Sequence, residues 1–355
     1  MHDQIATSVP PASPGLHRFA TILACLIVVL IAAGALVKSK EAGLSVPDWP
    51  LSYGSLNPPH WWRIDTVRAE HGHRMFAGTI ALLTLGMAVW ARRAEPRRWA
   101  RWIAYSAAGA VLAQAILGGI TVLLFLPPAV SIAHAGLAQL FLCLVTAFAV
   151  VTSPSFREAS ADDARFGSEG GQGIETVARL ATATTIVIYL QILAGAVMRH
   201  NGAGLAIPTF PLAFGHLIPP AFTFPIAIHF THRVGALLVL LAVAATAGSV
   251  LARRRGSGSA WRRTLALPAL GMCALVLVQI TLGALVVLTR KAVVPNTVHV
   301  ATGAALLATS LALTLQSRRL ARSADAVVRT ASEGESAVAT TRGRRPLEAA
   351  REVTS

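Results

Sequence analysis

Charged residues are scarce in this chain. Asp, Glu, Lys and Arg together make up 13% of its 355 residues, whereas 54% of the residues are hydrophobic. A water-soluble globular protein of this length carries more charge and shorter apolar runs, so that class is excluded. The apolar residues form eight runs of roughly 20 residues, the length that crosses about 30 Å of hydrocarbon, and they predict a polytopic membrane protein. The runs cover 19–37, 72–91, 102–126, 130–151, 178–198, 224–252, 264–289 and 297–316.

Cysteine is almost absent as well. The chain has 3 cysteines, Cys25, Cys143 and Cys273, and each of them falls inside an apolar run. A disulfide between the loops that join the runs is therefore excluded, and three scattered thiols do not have the spacing of a metal site.

Acidic residues are few, with 16 Asp and Glu against 31 Lys and Arg, and the net charge is +15. If the N-terminus is cytoplasmic, 22 of the 31 basic residues lie in cytoplasmic segments and 9 lie at the outer ends of the runs. This asymmetry follows the positive-inside rule, so both termini are predicted to face the cytoplasm. We interpret the basic runs 253–255 and 318–319 as topology anchors that contact the lipid bilayer, and we expect no nucleic acid as a partner.

An internal repeat divides the chain. Residues 41–59 and 202–220, which lie 161 positions apart, are identical at ten of nineteen positions, and the same offset aligns Gly34 with Gly195. Each half then contains four runs, and because four is an even number both halves enter the membrane in the same direction. The predicted fold is an all-α polytopic membrane protein with eight transmembrane helices in two parallel-repeat four-helix bundles. The first run has a counterpart in the fifth, so we expect it to be retained and not cleaved as a signal peptide.

The repeat also predicts a division into segments. These are a disordered cytoplasmic N-terminus 1–18, an N-terminal four-helix half 19–151, a cytoplasmic linker 152–177, a C-terminal four-helix half 178–316 and a basic cytoplasmic tail 317–355. The linker is rich in Gly, Ser and Asp, a composition typical of flexible connections.

Four of the histidines form matched pairs across the repeat. His73 matches His232 and His134 matches His299, and all four lie near the start of an even-numbered helix, close to the outer face. Two inward-facing imidazoles from two helices, without a third ligand at zinc spacing, suit the two faces of a planar iron porphyrin. The alternative for a histidine near a helix end is an interfacial residue that binds no ligand. Five other histidines have no matching His, and we interpret them as interfacial or loop residues. These are His60, His71, His200, His216 and His229.

Glu70 precedes His73 by three residues, so a helix places both side chains on one face. An ionisable residue in a membrane helix is costly and is a functional hypothesis by default. The aligned position in the second half is His229, so the carboxylate belongs to the N-terminal half alone. Glu70 could remove protons from a substrate or stabilise positive charge that develops on it. The alternative is an interfacial carboxylate paired with Arg68 or Arg74.

Two further sets of polar residues recur in both halves. Arg74 and Arg233 directly follow a matched histidine and are candidate contacts for heme propionates. Gln114, Gln191 and Gln279 each lie one turn before a glycine on an odd-numbered helix, and we expect them to make interhelical hydrogen bonds.

Several motifs resemble those of the heme A synthase family over about residues 19–316. They are Glu-x-x-His-Arg at 70–74, Ala-Gly-Leu-Ser and Asp-Trp within 42–49, His-Arg at 232–233, and the later His134 and His299. The resemblance implies a heme-dependent membrane oxidoreductase of cytochrome oxidase assembly, which oxidises a methyl group of heme O to a formyl group in two steps to give heme A. Some bacterial members have a cysteine pair in the first outer loop; this chain has none, so we expect no thiol-based step.

By the same resemblance, His73 and His134 would be the axial ligands of the substrate heme, with Glu70 as the catalytic residue. His232 and His299 would be the axial ligands of a resident heme b that transfers electrons. Two axial histidines leave the iron no open position for oxygen, so electron withdrawal with water as the oxygen source fits better than oxygen activation.

The resemblance also implies partners and a location. We expect a heme O synthase that supplies the substrate, an electron acceptor or donor, a bacterial plasma membrane with the hemes near its outer face, and a homo-oligomer. Two other classes remain open. A di-heme b-type electron-transfer cytochrome would use the same histidines, but it gives no reason for a carboxylate in one half. A transporter of parallel repeats should show broken helices or charges near the midplane, and the sequence shows neither.

Overall fold

The structure is a computed structural model that describes residues 13–157, 161–253 and 261–352. The predicted all-α membrane fold is confirmed, because these ranges contain no strand and include eight helices long and apolar enough to cross a membrane. The eight helices are α1 Pro14–Ser39, α2 Asp65–Ala94, α3 Arg98–Leu123, α4 Pro128–Thr152, α5 Ala161–His200, α6 Phe224–Ala252, α7 Leu267–Leu288 and α8 Val293–Glu352. A one-turn helix, Pro154–Arg157, precedes α5, and a π-helical segment, Arg262–Ala266, leads into α7.

Several helices extend beyond the apolar runs that predict them. α1 begins at Pro14 and not at 19, because the hydroxyl of Ser13 caps the helix and proline suits its first turn. α2 begins at Asp65, ahead of its predicted start at 72, and the carboxylate of Asp65 accepts hydrogen bonds from Lys40 and Arg68. Charged residues at a helix end thus remain helical although they interrupt the apolar pattern.

The segment boundaries change accordingly. The expected disorder of residues 14–18 is wrong, since they belong to α1, and residues 1–12 lie outside the described part of the chain. α5 begins at Ala161, within the predicted linker 152–177, and α8 continues to Glu352 through most of the predicted tail 317–355. The division of function between the segments stays a prediction.

The helices form two closed rings of contacts. In the first ring α1 packs on α2, α2 on α3, α3 on α4 and α4 on α1, and helices α5 to α8 form the second ring in the same order. An apolar cluster that includes Ile80 and Phe148 fills the first ring, and a cluster with Met272 and Leu307 fills the second. The relation of the two rings as parallel repeats stays a prediction, which this shared order of contacts supports.

The two rings meet along α1, α4, α5 and α8. Ser39, at the end of α1, is central to the polar contacts between them. Its hydroxyl accepts hydrogen bonds from Arg199 Nη2 on α5 at 3.0 Å and from Asn296 Nδ2 on α8 at 3.1 Å. Arg199 also donates to the carbonyl of Ala35 at 2.8 Å. These contacts tie the outer ends of the two halves together.

The two repeated loops fold alike. Each contains an antiparallel bridge that closes a turn, and the bridges join Ser52 to Ser55 and Ala213 to His216. Gly54 and Gly215 lie inside these turns with φ of 73° and 87°, a conformation that favours glycine. The identical glycines of the repeat therefore have a backbone reason.

In each repeated loop, a polar side chain at the equivalent position of the repeat holds the turn. The carboxylate of Asp48 accepts hydrogen bonds from the amides of Tyr53 at 2.7 Å and Gly54 at 2.8 Å, and the hydroxyl of Thr209 accepts one from the amide of Phe214 at 2.9 Å. Burial alone would raise the pKa of Asp48, but these backbone hydrogen bonds outweigh it and hold the pKa below its usual value.

Glu95 fastens the connection between α2 and α3. Its carboxylate accepts hydrogen bonds from Arg97 Nε at 2.8 Å and Arg157 Nη1 at 2.9 Å, and Arg97 also donates to the carbonyl of Val151 at 2.7 Å. Burial alone would raise the pKa of Glu95, but the two arginines outweigh it and lower the pKa. The ends of α2 and α4 are thereby joined through one buried carboxylate.

Candidate functional site

Each of the four matched histidines lies against a glycine of the preceding helix. The pairs are His73 with Gly34, His134 with Gly118, His232 with Gly195 and His299 with Gly283. A Cβ atom built on these glycines would lie 2.9 to 3.2 Å from the imidazole Cε1 atom, closer than side chains normally pack. Glycine at these positions lets the imidazole approach the backbone of the neighbouring helix.

The imidazoles are paired within each ring of helices. His73 lies on α2 and His134 on α4 of the first ring, and His232 lies on α6 and His299 on α8 of the second. In each ring these two helices stand diagonally, since an odd-numbered helix packs between them on either side. The structure therefore places each predicted pair on diagonal helices of one ring, the arrangement in which helix bundles hold cofactors.

Glutamine amides contact three of the four histidines. The contacts join Gln114 to His134, Gln191 to His232 and Gln279 to His299, with nitrogen–nitrogen distances of 3.4, 3.1 and 3.3 Å. Gln114 and Gln191 also donate to the backbone carbonyls of their histidines, at 3.0 and 2.7 Å. The expected interhelical hydrogen bonds are confirmed, and their partners are the matched histidines.

Glu70 is buried, with 3% of its surface exposed, where α2 meets the first repeated loop. One carboxylate oxygen accepts a hydrogen bond from the amide of Val46 at 2.9 Å, and the other accepts one from Arg74 Nη2 at 2.6 Å. Arg74 also donates to the carbonyls of Asp48 at 2.6 Å and Leu51 at 3.0 Å. Glu70 and Arg74 thus fix this loop over the outer end of α2.

The C-terminal half fixes its loop in the same way without a carboxylate. His229 is buried, and its Nδ1 accepts a hydrogen bond from the amide of Ile207 at 3.2 Å. Arg233 Nη2 donates to the carbonyls of Ile207 at 3.0 Å and Thr209 at 2.7 Å. The propionate contacts of Arg74 and Arg233 stay a prediction, since both guanidinium groups donate to loop carbonyls in the structure.

A second difference between the halves is the buried polar pair of His71 and Ser52. Their side chains are joined by a hydrogen bond of 2.8 Å, and the ring of Trp61 lies 4.8 Å from that of His71. In the second half Ala213 stands at the position of Ser52, and Phe222 and Phe230, at the positions of Trp61 and His71, make an aromatic contact at 5.9 Å. The interpretation of His71 and His229 as interfacial or loop residues is wrong, because both side chains pack under the repeated loops, with 2% and 3% exposure.

Comparison with known proteins decides the family. The chain is 31% identical over 229 residues to the heme A synthase of Symbiobacterium thermophilum, an alignment that covers 63% of this chain and 72% of that protein. It is 29% identical over 238 residues to the heme A synthase of Halalkalibacterium halodurans, covering 65% and 76% of the two chains. The family model for cytochrome oxidase assembly proteins of the COX15-CtaA type matches residues 65–311. The chain belongs to the heme A synthase family.

This membership confirms the resemblance that the motifs indicate. Members of the heme A synthase family are oxidoreductases with heme O as substrate and heme A as product. The matched segment contains Glu70 and the four matched histidines, and the eight apolar helices make the chain a multi-pass membrane protein, as fits its bacterial relatives.

The residues of both pairs fit a heme of this family. Imidazole is a common axial ligand of heme iron, and each pair presents two imidazoles from diagonal helices. Nδ1 of His73 and Nδ1 of His134 are buried without a hydrogen-bond partner in the described part of the chain, so both rings have capacity for a ligand. No residue pattern indicates the amides of Val46 and Ile207 as hydrogen-bond partners, because every residue except proline has a backbone amide.

Proposed function

We propose that this chain is a heme A synthase that oxidises one methyl group of heme O to a formyl group within its N-terminal half. One observation carries the proposal. Two matched sites each present a pair of imidazoles, but a buried carboxylate, Glu70, accompanies only the first, one turn from His73 on the same helix. A protein that only transfers electrons would not need a buried carboxylate at one of its two sites.

The proposed reaction proceeds in two oxidations of the substrate. In the first, the methyl group and one water molecule give an alcohol, and two electrons and two protons leave. In the second, the alcohol and another water give a hydrated aldehyde with the same losses, and this hydrate releases water to form the formyl group. Water is the proposed oxygen source because His73 and His134 would occupy both axial positions of the substrate iron.

Four residues would hold the two hemes. His73 and His134 would bind the substrate heme, and His232 and His299 would bind heme b. When bound, heme b would supply a redox centre for electrons that leave the substrate on the way to a separate acceptor. Glutamines contact both histidines of the second pair, which suits a permanently bound group.

The carboxylate of Glu70 has a use beyond holding the loop. His229 accepts the equivalent backbone hydrogen bond with an imidazole, so docking of the loop does not require a negative charge. Glu70 is held by two donors, and this fixes its orientation before the reaction begins. We propose that it takes up protons from the methyl group or the alcohol, or stabilises positive charge on the oxidised carbon.

Glu70→His tests this role, because it copies the second half and keeps an acceptor for the amide of Val46. We expect the variant to retain heme b and to bind heme O, yet to stall before heme A and accumulate the alcohol. Glu41→Gln, which removes an exposed carboxylate from the first repeated loop, is the control and should still produce heme A. Normal heme A output from Glu70→His would contradict the catalytic role.

Extraction and chromatography of the pigment from the purified protein tests the function as a whole. A heme A synthase should contain heme b together with O-type or A-type heme. Heme b alone would favour the di-heme electron-transfer cytochrome, and absence of heme would contradict both functions.

The proposal includes a location and partners. The charge asymmetry of the loops supports a bacterial plasma membrane location with both termini in the cytoplasm and the hemes near the outer face. A heme O synthase would supply the substrate, and a separate membrane protein or quinone would accept the electrons.

A further inference from the structure

Among the four matched histidines, His73 is the one that no glutamine contacts in the described part of the chain, whereas a different glutamine contacts each of the other three. Gln191 lies one turn before Gly195 and contacts His232, but the position that matches it in the first half is Leu30, one turn before Gly34. Leu30 is half-buried and packs against the apolar cluster of the first ring. Within the described residues no amide reaches His73, and this missing amide contact is what sets it apart, since its Nδ1 is buried without a partner as that of His134 is.

A glutamine at this position strengthens an axial histidine for a general reason. A histidine that binds a metal through one nitrogen usually donates its other N–H to an acceptor, which fixes the ring and raises its basicity. Rotation of the amide group of Gln279 would present a carbonyl oxygen to the imidazole of His299, and this oxygen is buried without a partner in the described part of the chain. Leucine offers no acceptor, so packing against Gly34 is the support that remains for the ring of His73.

A cavity opens beside this same histidine. It has a volume of about 250 Å³ and lies between the end of α1 and the start of α2, with Leu36, Gly72 and His73 in its wall and the polar groups of Lys40, Asp65 and Arg68 at its outer side. The unsupported histidine therefore borders space that leads toward the outer end of the helices.

We propose that His73 is the releasable axial ligand, and that Leu30 makes it so. The substrate heme would enter and the product heme would leave on the side of His73, while the three glutamine-supported histidines remain ligated. Leu30 is thus a positioning residue that acts through His73. The inference rests on the proposed function, because it concerns exchange of the substrate and product in the N-terminal half.

A reciprocal exchange of residues tests the proposal. The purified, heme-loaded protein is mixed with excess apomyoglobin, and chromatography follows the transfer of each pigment; O-type or A-type heme reports the first half and heme b reports the second. In the unmodified protein the O-type or A-type heme should transfer first. Leu30→Gln should slow that transfer by about tenfold, the lower end of the effect of such outer contacts on metal affinity.

The controls separate hydrogen bonding from packing. Leu30→Met keeps an apolar side chain of similar volume and should leave the transfer rate unchanged. Gln191→Leu places in the second half the leucine that the first half has at this position, and it should speed the loss of heme b about tenfold. This variant introduces no buried polar group, so it remains informative if Leu30→Gln fails to fold. Equal transfer rates for Leu30→Gln and Leu30→Met, or an unchanged rate for Gln191→Leu, would overturn the proposal. Absence of O-type and A-type heme from the unmodified protein would instead contradict the proposed function and this inference with it.

Discussion

Replacement of Gly195 by alanine should weaken the binding of heme b without unfolding the protein. A Cβ atom at this position would lie 2.9 Å from Cε1 of His232, so one of the two must move. The imidazole is not free to retreat, because Gln191 contacts its Nδ1 at 3.1 Å and donates to the carbonyl of His232 at 2.7 Å. The new methyl group therefore shifts the ring or separates α5 from α6.

The size of the effect follows from two opposing terms. Overpacking of a filled site costs ~1–3 kcal/mol, whereas alanine in a helix is favoured over glycine by ~1 kcal/mol. The net loss is up to ~2 kcal/mol, which corresponds to a loss of up to about 30-fold in affinity if it falls on the heme-bound state. Gly283→Ala, whose Cβ atom would lie 3.2 Å from Cε1 of His299, should have a smaller effect.

The assay is the heme b content per polypeptide after purification, together with the rate of heme b transfer to apomyoglobin. Gly248→Ala is the matched control on α6, because no atom of the described residues lies within 4 Å of a Cβ atom at that position, and it should keep its heme. Full heme b content and an unchanged transfer rate in Gly195→Ala would refute the reasoning, as would an equal loss in the control.

Three further predictions concern the second pair, a buried ion pair and the topology. Replacing His232 with alanine should remove heme b from the purified protein, and a full, spectrally unchanged heme b would show that the ligands are misassigned. Glu95→Gln should lower the stability at pH 7 by ~3 kcal/mol, because it leaves Arg97 without its carboxylate. Since the folded-state pKa of Glu95 lies below 4.5, the stability that Glu95 contributes is present above that pH and is lost as the pH falls through the folded-state pKa. Thermal unfolding in detergent should therefore show a smaller difference in stability between the unmodified protein and Glu95→Gln at pH 4 than at pH 7. An impermeant thiol reagent should label Asn57→Cys but not Ser257→Cys in intact cells, and outside labelling at 257 would contradict the assigned topology.

The membrane helices were predictable because the thickness of the hydrocarbon sets their length and composition. Their ends were less predictable, since Asp65 and Arg68 interrupt the apolar pattern but stay helical through an ion pair at the helix start. The histidine pairs were predictable because a duplicated chain repeats what both sites need. The internal repeat thus allows the two halves of a single sequence to be aligned with each other, as two related proteins would be.

The contacts of Glu70 were harder to predict. Its partners are the amide of Val46, which lies 24 positions earlier, and Arg74, whose other contacts are carbonyl oxygens of the loop. Backbone groups are the same in every sequence, so no pattern of residues reports them. The pair of His71 and Ser52 did leave a signal, because both positions change together to apolar residues in the second half.

The differences between the halves converge on one imidazole. Leu30 lies one turn before the glycine that faces His73, Glu70 lies one turn before His73 on its own helix, and His71 joins the covering loop through Ser52. The features shared by both halves are those that any bound heme needs: two imidazoles, a glycine behind each of them and an arginine that holds the loop. These three differences lie around His73, which supports the proposal that the first half handles the substrate and that the second half keeps the heme-binding scaffold.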